Sequence, residues 1–336
     1  MIVVLALLPT VVRPQELRSA KEYFDRAAAN FQNAKLTEAL GDINKAIQKA
    51  PRVAQMYGLR GSIYFAQQDF DAALQDFTKT IELGPRIQGI EVVYTNRAVI
   101  RLFRGDYATA LTDVEKAISI NPNYVNALNV RGNLRQLAED FNGAIEDFDK
   151  AISINPSYAD PYDGRANIRS YRGDLAGALA DYDKAIALNS ADVPAYVGRA
   201  LIHFQKGELS AALSDSERVL QLDPTHWEAL FDRGVIKILL GQPDNGVRDI
   251  KMAAEKDPSI FSRPKQKSFI TPGESLDAFI VANPRNARAY EARGVVRLIW
   301  NKRGEAKNDL DKAAELDSAL KPEIERVSKT IGREGL

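Results

Sequence analysis

Apolar residues along most of this chain recur three and four positions apart, the spacing that places them on one face of an α-helix. They come in paired segments separated by turns such as Arg104-Gly105-Asp106 and Arg172-Gly173-Asp174. A proline closes most pairs: Pro51, Pro85, Pro122, Pro156, Pro224 and Pro258. Proline just beyond a helix cannot extend it and starts the next turn. The pattern predicts an all-α chain built from helix pairs.

The pairs repeat. Asp113-Val-Glu-Lys-Ala-Ile-Ser-Ile-Asn-Pro122, Asp147-Phe-Asp-Lys-Ala-Ile-Ser-Ile-Asn-Pro156 and Asp181-Tyr-Asp-Lys-Ala-Ile-Ala-Leu-Asn-Ser190 follow one another at steps of 34 residues. In that register, eight repeats begin at Ala20, Ala54, Glu91, Val125, Ala159, Val193, Trp227 and Ala287, with three extra residues before the third and 26 before the eighth. Place eight holds Ala27, Gly61, Ala98, Gly132, Ala166, Ala200, Gly234 and Gly294; place twenty holds alanine everywhere except Gly246. With almost no side chain at either place, two helix backbones approach closely, and larger residues such as Phe77, Phe148, Tyr182 and Ile186 fill the remaining space. One helix pair cannot bury both its faces, so neighbours must stack into an α-solenoid.

In these features the chain resembles the tetratricopeptide repeat family. The family pattern has a bulky residue at place four (here Tyr57, Tyr94, Tyr162, Tyr196 and Tyr290), small residues at eight and twenty, and an aromatic near twenty-four. It continues with alanine at twenty-seven (Ala46, Ala117, Ala151, Ala185 and Ala313) and proline at thirty-two. The resemblance implies a right-handed superhelix of antiparallel helix pairs whose first helices line a concave groove that holds a peptide or partner helix. Two specialised forms of that groove are not encoded. The two-carboxylate clamp for chaperone C-termini is matched by Asn96 but not by Gly58, Ser62, Asn126 and Val130, and the asparagine ladder of sugar-transferring relatives is matched at Asn96 alone.

Charge recurs as strictly as size. Arginine stands at place seven of all eight repeats, from Arg26 to Arg293, and aspartate at place twenty-three of all eight, from Asp42 to Asp309. One reading is a row of acid–base pairs or an anion-binding stripe. The other is an ion-pair ladder between first and second helices, which suits a constellation present in every repeat, since an active site needs one unlike cluster. Arg101, Arg135, Arg169 and Arg297 occupy place eleven, where they either form a cationic stripe or lay their stems on apolar surface and share carboxylates.

If the first helices line the groove, places two, five, nine and twelve face the partner. In the middle repeats these include Asn126, Asn129, Asn133, Gln136, Asp160, Asp163 and Asn167, a polar floor. In the sixth and seventh they include Val197, Leu201, Phe204, Phe231 and Val235, an apolar stretch that suits a hydrophobic anchor of an extended peptide. The competing reading is that these apolar residues pack against neighbouring helices.

Lysine plus arginine equal aspartate plus glutamate at 45 each, so no net field concentrates nucleic acid, which is not expected as a partner. Cysteine is absent, and His203 and His226 lack a local metal-ligand spacing, so neither a cofactor nor a metal is expected. The run from Met1 to Val12 has the length of a signal-peptide core but lacks a preceding basic segment and a good cleavage context; it predicts either export or an apolar cap on the first repeat. No other window approaches a membrane span.

The expected organisation is an apolar leader at 1–16, seven repeats over 17–260, a degenerate half repeat with an irregular loop at 261–286, an eighth repeat over 287–320, and a capping helix and tail at 321–336. Within the interruption, Thr271 to Pro284 reads as a capped helix ending like the second helix of a repeat, and Lys265 and Lys267 lie in the loop before it. The function expected is a non-catalytic adaptor for a protein or peptide, with a monomer expected over a homo-oligomer. The alternatives are a structural protein assembling through its terminal repeats, or an enzyme using the Lys265 loop.

Overall fold

The computed structural model describes residues 14–256 and 272–333. Of the expected leader at 1–16, residues 1–13 lie outside the described residues and the remainder belongs to the first helix; the loop carrying Lys265 and Lys267 also lies outside them. Helices form two compact bodies, Met1–Ala138 and Glu139–Leu336. The first holds α1 (Pro14–Gln32), α2 (Leu36–Lys49), α3 (Ala54–Ala66), α4 (Phe70–Leu83), α5 (Ile90–Phe103), α6 (Tyr107–Ile120) and α7 (Val125–Leu137). The second holds α8 (Phe141–Ile154), α9 (Asp160–Tyr171), α10 (Leu175–Leu188), α11 (Val193–Gln205), α12 (Leu209–Leu222), α13 (Trp227–Leu239) and α14 (Pro243–Lys256). It continues with α15 (Pro272–Ala282), α16 (Ala287–Ile299), α17 (Arg303–Leu316) and α18 (Lys321–Arg333), with a 3-10 turn at Ser318–Leu320. The described residues contain no strand, and the chain is an all-α solenoid of antiparallel helix pairs.

Within each body, a first helix packs on the second helix of its own repeat, as α3 does on α4 and α13 on α14, and a second helix packs on the next first helix, as α4 does on α5 and α12 on α13. The small residues of places eight and twenty lie where the two helices of a pair meet. Ala73, Ala98, Ala110, Ala166 and Ala178 are fully buried. In the seventh repeat both places are glycine, and a Cβ on Gly234 would lie 2.8 Å from the carbonyl oxygen of Gly246. Only backbone fits at that crossing.

The turn within each pair is the same throughout. Place fifteen adopts the left-handed conformation in all eight repeats: Gly105, Gly173, Gly207 and Gly241 have φ between 75° and 81°, and Ala34, Gln68, Glu139 and Asn301 between 56° and 62°. Asp69, Asp140 and Asp174 then accept a backbone N–H at the start of the second helix, from Ala72, Gly143 and Gly177, satisfying a donor the helix leaves open.

The end of the second body departs from simple repetition. α16 packs directly on α13 and α14, the contact one repeat makes with the next, although 26 additional residues precede it. α15 lies instead against the first helices α11, α13 and α16. It is therefore not a half repeat interposed in the array; its place is on the first-helix face. α18 packs on α14, α16 and α17 and buries Val327 and Ile331, covering apolar surface that a further repeat would otherwise take. Among the described residues no helix is long and apolar enough to cross a membrane.

Candidate binding surface

The recurrent charges are structural. In the seven repeats that lie within one body, the place-seven arginine grips the place-twenty-three aspartate with two parallel hydrogen bonds, Nε to Oδ2 and Nη2 to Oδ1, at 2.5–2.9 Å. The remaining guanidinium nitrogen reaches back to the preceding second helix, sixteen residues from Arg165 to Asp149, Arg199 to Asp183 and Arg60 to Asn44 and nineteen from Arg97 to Thr78, at 2.5–3.2 Å. One side chain thus fixes both the helix pair and its stacking. Place eleven adds a second cation to the same aspartate, from Arg101, Arg169, Lys237 and Arg297 at 2.6–2.8 Å. These arginines are spent on the ladder and form no free cationic stripe.

Against that regularity, the first-helix face of the second body carries carboxylates that stand outside the ladder and lack its bidentate arginine. Tyr182 of α10 donates its hydroxyl to Asn167 Oδ1 of α9 at 2.8 Å, and Asn167 Nδ2 donates to Asp163 Oδ2 on the same helix at 3.2 Å. The other oxygen of Asp163 is shut off from solvent and accepts nothing. Burial first, then the neighbouring Asp192 and Asp160, push the Asp163 carboxyl up to about 7. Asp192 caps α11 by accepting the N–H of Ala195 at 3.2 Å, and burial raises its pKa as well. Asp160 is exposed and accepts the Tyr158 hydroxyl at 2.9 Å. One repeat pair along, Asp232 of α13 lines a small cavity with Ala200, Leu201, Phe204, Ser216, Val235 and Ile236. Burial and then Glu228 push it up to about 8. On α16, Glu291 is buried and pushed up to about 7, by burial first and then by Glu323, although Arg288 lies 2.8 Å from its Oε2.

The expected floor residues divide. Asn126 and Asp160 are exposed, and Asn133, Asp163, Asn167, Val197 and Leu201 are half-buried on first helices. Asn129 and Gln136 are buried, which corrects their assignment to an open floor. First helices pack side by side, α5 on α7 and α9 on α11, and that contact uses part of the places assigned to a partner. Phe204, Phe231 and Val235 are also buried rather than lining an open face. The Phe204 ring lies 5.2 Å from Phe279 of α15, and Phe231 meets Trp300 edge-on at 6.3 Å. Their coverage comes from the chain itself. Asp192, Asp232, Glu291 and the apolar side of α15 were not anticipated. Asp232 had a signal, being an acid at place six where most other repeats hold an apolar or small residue; Asp192 read only as a helix cap.

Models of the tetratricopeptide repeat match residues 24–86, 92–124, 125–158 and 200–267, and a model described as TPR repeat matches 166–207. Serine/threonine-protein phosphatase 5 of Rattus norvegicus is 34% identical over 116 residues, 34% of this chain and 21% of the relative. The Hsp70-Hsp90 organizing protein of Triticum aestivum is 28% identical over 130 residues, 34% of this chain and 22% of the relative. The chain thus spans about a fifth of the length of these curated relatives. Among solved structures, a tetratricopeptide repeat protein from Parabacteroides merdae superposes with a TM-score of 0.55 at 22% identity, covering 78% of this chain and 99% of that one. PilF of Pseudomonas aeruginosa gives 0.53 at 14% identity, covering 62% and 94%. Both likenesses concern the fold. With the repeat register, the helix pairs and the family models in agreement over most of its length, the chain belongs to the tetratricopeptide repeat family.

Proposed function

We propose that this chain is a non-catalytic scaffold that holds a partner protein or peptide on the first-helix face of its second body, with Asp160, Asp163 and Asn167 of α9 and Val197 and Leu201 of α11 in contact with the partner. The observation that carries this reading is the contrast between two sets of carboxylates. Every ladder aspartate resolved within a body has a bidentate arginine, whereas Asp163 is desolvated beside Asp160 and Asp192 with one oxygen unused. Keeping an unmatched carboxylate out of water costs stability and does nothing for the array. A lysine or arginine of a bound peptide supplies the missing charge. The wheat relative is named an Hsp70-Hsp90 organizing protein. The chaperone clamp residues are not reproduced here, so the partner proposed is a basic peptide and not a carboxylate terminus.

The test is selection from a random peptide library on the folded chain. Enriched sequences carry lysine or arginine and lose at least tenfold in affinity on Asp163→Asn. Enrichment without basic residues, or binding indifferent to that substitution, contradicts the proposal.

A further inference from the structure

α15 has a companion surface and an unusual origin. Removing residues 261–286 would leave Asp257-Pro258-Ser259-Ile260 between α14 and α16, the same four-residue junction that Asp223-Pro224-Thr225-His226 makes between α12 and α13. Because α16 already packs on α13 and α14, the array is continuous without α15. What α15 adds is an apolar edge, Leu276, Phe279 and Ile280, at the i, i+3, i+4 spacing of one helix face and buried against the first helices. Val281, on the other side, is 81% exposed. That is how an amphipathic helix sits on a receptor surface.

As an occupant of that surface, α15 is incomplete. It has eleven residues, below the length at which a helix is stable alone, so its order depends on the surface beneath it. Its sequence, Pro272-Gly-Glu-Ser-Leu-Asp-Ala-Phe-Ile-Val-Ala282, contains no cation. Asp232 shares a cavity with Leu201, Phe204 and Val235, and Phe204 is the residue that meets Phe279, yet burial and Glu228 alone act on its carboxyl. The apolar half of the surface is satisfied and the charged half is not.

We propose that the α11–α13 face is a binding surface for an amphipathic helix, that α15 is its internal occupant, and that a partner helix with bulky apolar residues at i, i+3 and i+4 and a lysine or arginine displaces it. The identity of the displacing partner rests on the scaffold reading above. The occupancy does not, because it is tested with peptides of this chain's own sequence, apart from α9 and the library selection.

A labelled peptide of residues 270–286 is titrated by fluorescence anisotropy into the full chain and into a variant lacking 261–286. The variant keeps its helical circular dichroism and binds the peptide at least tenfold more tightly than the full chain does, and Phe279→Asp in the peptide removes at least tenfold of that affinity. Absence of binding to the folded variant, or equal binding to both proteins, overturns the proposal. Should the variant fail to fold, hydrogen exchange on the intact chain decides: amides of α15 exchange at least tenfold faster than those of α11 and α13, and equal rates overturn it. A lysine scan of the peptide completes the test. At least one lysine tightens binding to the full chain and the gain disappears in Asp232→Asn; a gain at no position overturns the charged part of the proposal.

Discussion

Arg293 Nη1 lies 2.8 Å from Asp277 Oδ1, sixteen residues upstream, the same step at which Arg165 meets Asp149 and Arg199 meets Asp183. In the earlier repeats that acid comes from the preceding second helix. In α14 the corresponding residue is Lys251, which cannot serve, and α15 supplies the acid in its place. The two aspartates on Arg293 differ in burial: the Asp309 side chain is 6% exposed and that of Asp277 59%. Asp309→Ala removes the buried carboxylate that Arg293 and Arg297 share, leaving them only exposed acids, and is expected to cost about 3 kcal/mol of stability. Asp277→Ala is expected to cost below about 1 kcal/mol. Denaturant unfolding of both variants checks the ladder; equal losses would mean that burial does not set the strength of these pairs.

The shared turn at place fifteen predicts a gain. Gln68 holds φ 62° where four other repeats use glycine. Gln68→Gly removes the Cβ penalty of the left-handed conformation and is expected to stabilise by about 0.5–1 kcal/mol, while Gly173→Ala, which meets nothing within 4 Å, is expected to destabilise by a similar amount. Melting temperatures moving in opposite directions confirm a backbone cause.

Place six carries a second constraint. A Cβ on Gly198 would overlap the Tyr182 ring, which is buried and donates to Asn167. Gly198→Ala is therefore expected to cost about 1–3 kcal/mol by overpacking and to disturb the hydrogen bonds that reach Asp163. Chemical shifts of the Asn167 side-chain amide would register the second effect.

Asp163 ties stability to pH. Its folded pKa, about 7, lies above the ordinary 3.8, so the folded state binds the extra proton between about pH 4 and 7 and loses that advantage as pH rises through the window. Asp163→Asn cannot ionise. The variant is expected to match the wild type near pH 4 and to exceed it by roughly 1–3 kcal/mol at pH 8. Asp232 titrates in the same sense, so the quantity to measure is the difference between variant and wild type at each pH. A constant difference contradicts the assignment.

The repeat was legible because one physical requirement, two backbones crossing with little between them, imposes the same residue type at places eight and twenty every 34 residues. The ladder was legible for the same reason, although the sequence left open whether each arginine served its own repeat or the junction; the structure shows both. Groove places were less legible. Periodicity assigns Phe204 and Asn129 to the first-helix face but does not say what else lies on that face, and both are buried, Phe204 by contact with a helix 75 residues further along. The position of α15 follows from tertiary packing that breaks the repeat, so no local pattern announces it. The importance of Asp163 and Asp232 depends on which carboxylates lack a partner, a property that appears only after the others have been paired.

Site-specific photo-crosslinking in the cells that make this protein tests the binding surface most directly. A photoreactive amino acid is placed at Asp160 or Val197 on first helices, and at the exposed Lys184 or Glu217 on second helices. A discrete adduct is expected from Asp160 and Val197 and none from Lys184 and Glu217. Adducts from the second-helix positions alone, or equally from all four, would contradict partner binding on the first-helix face.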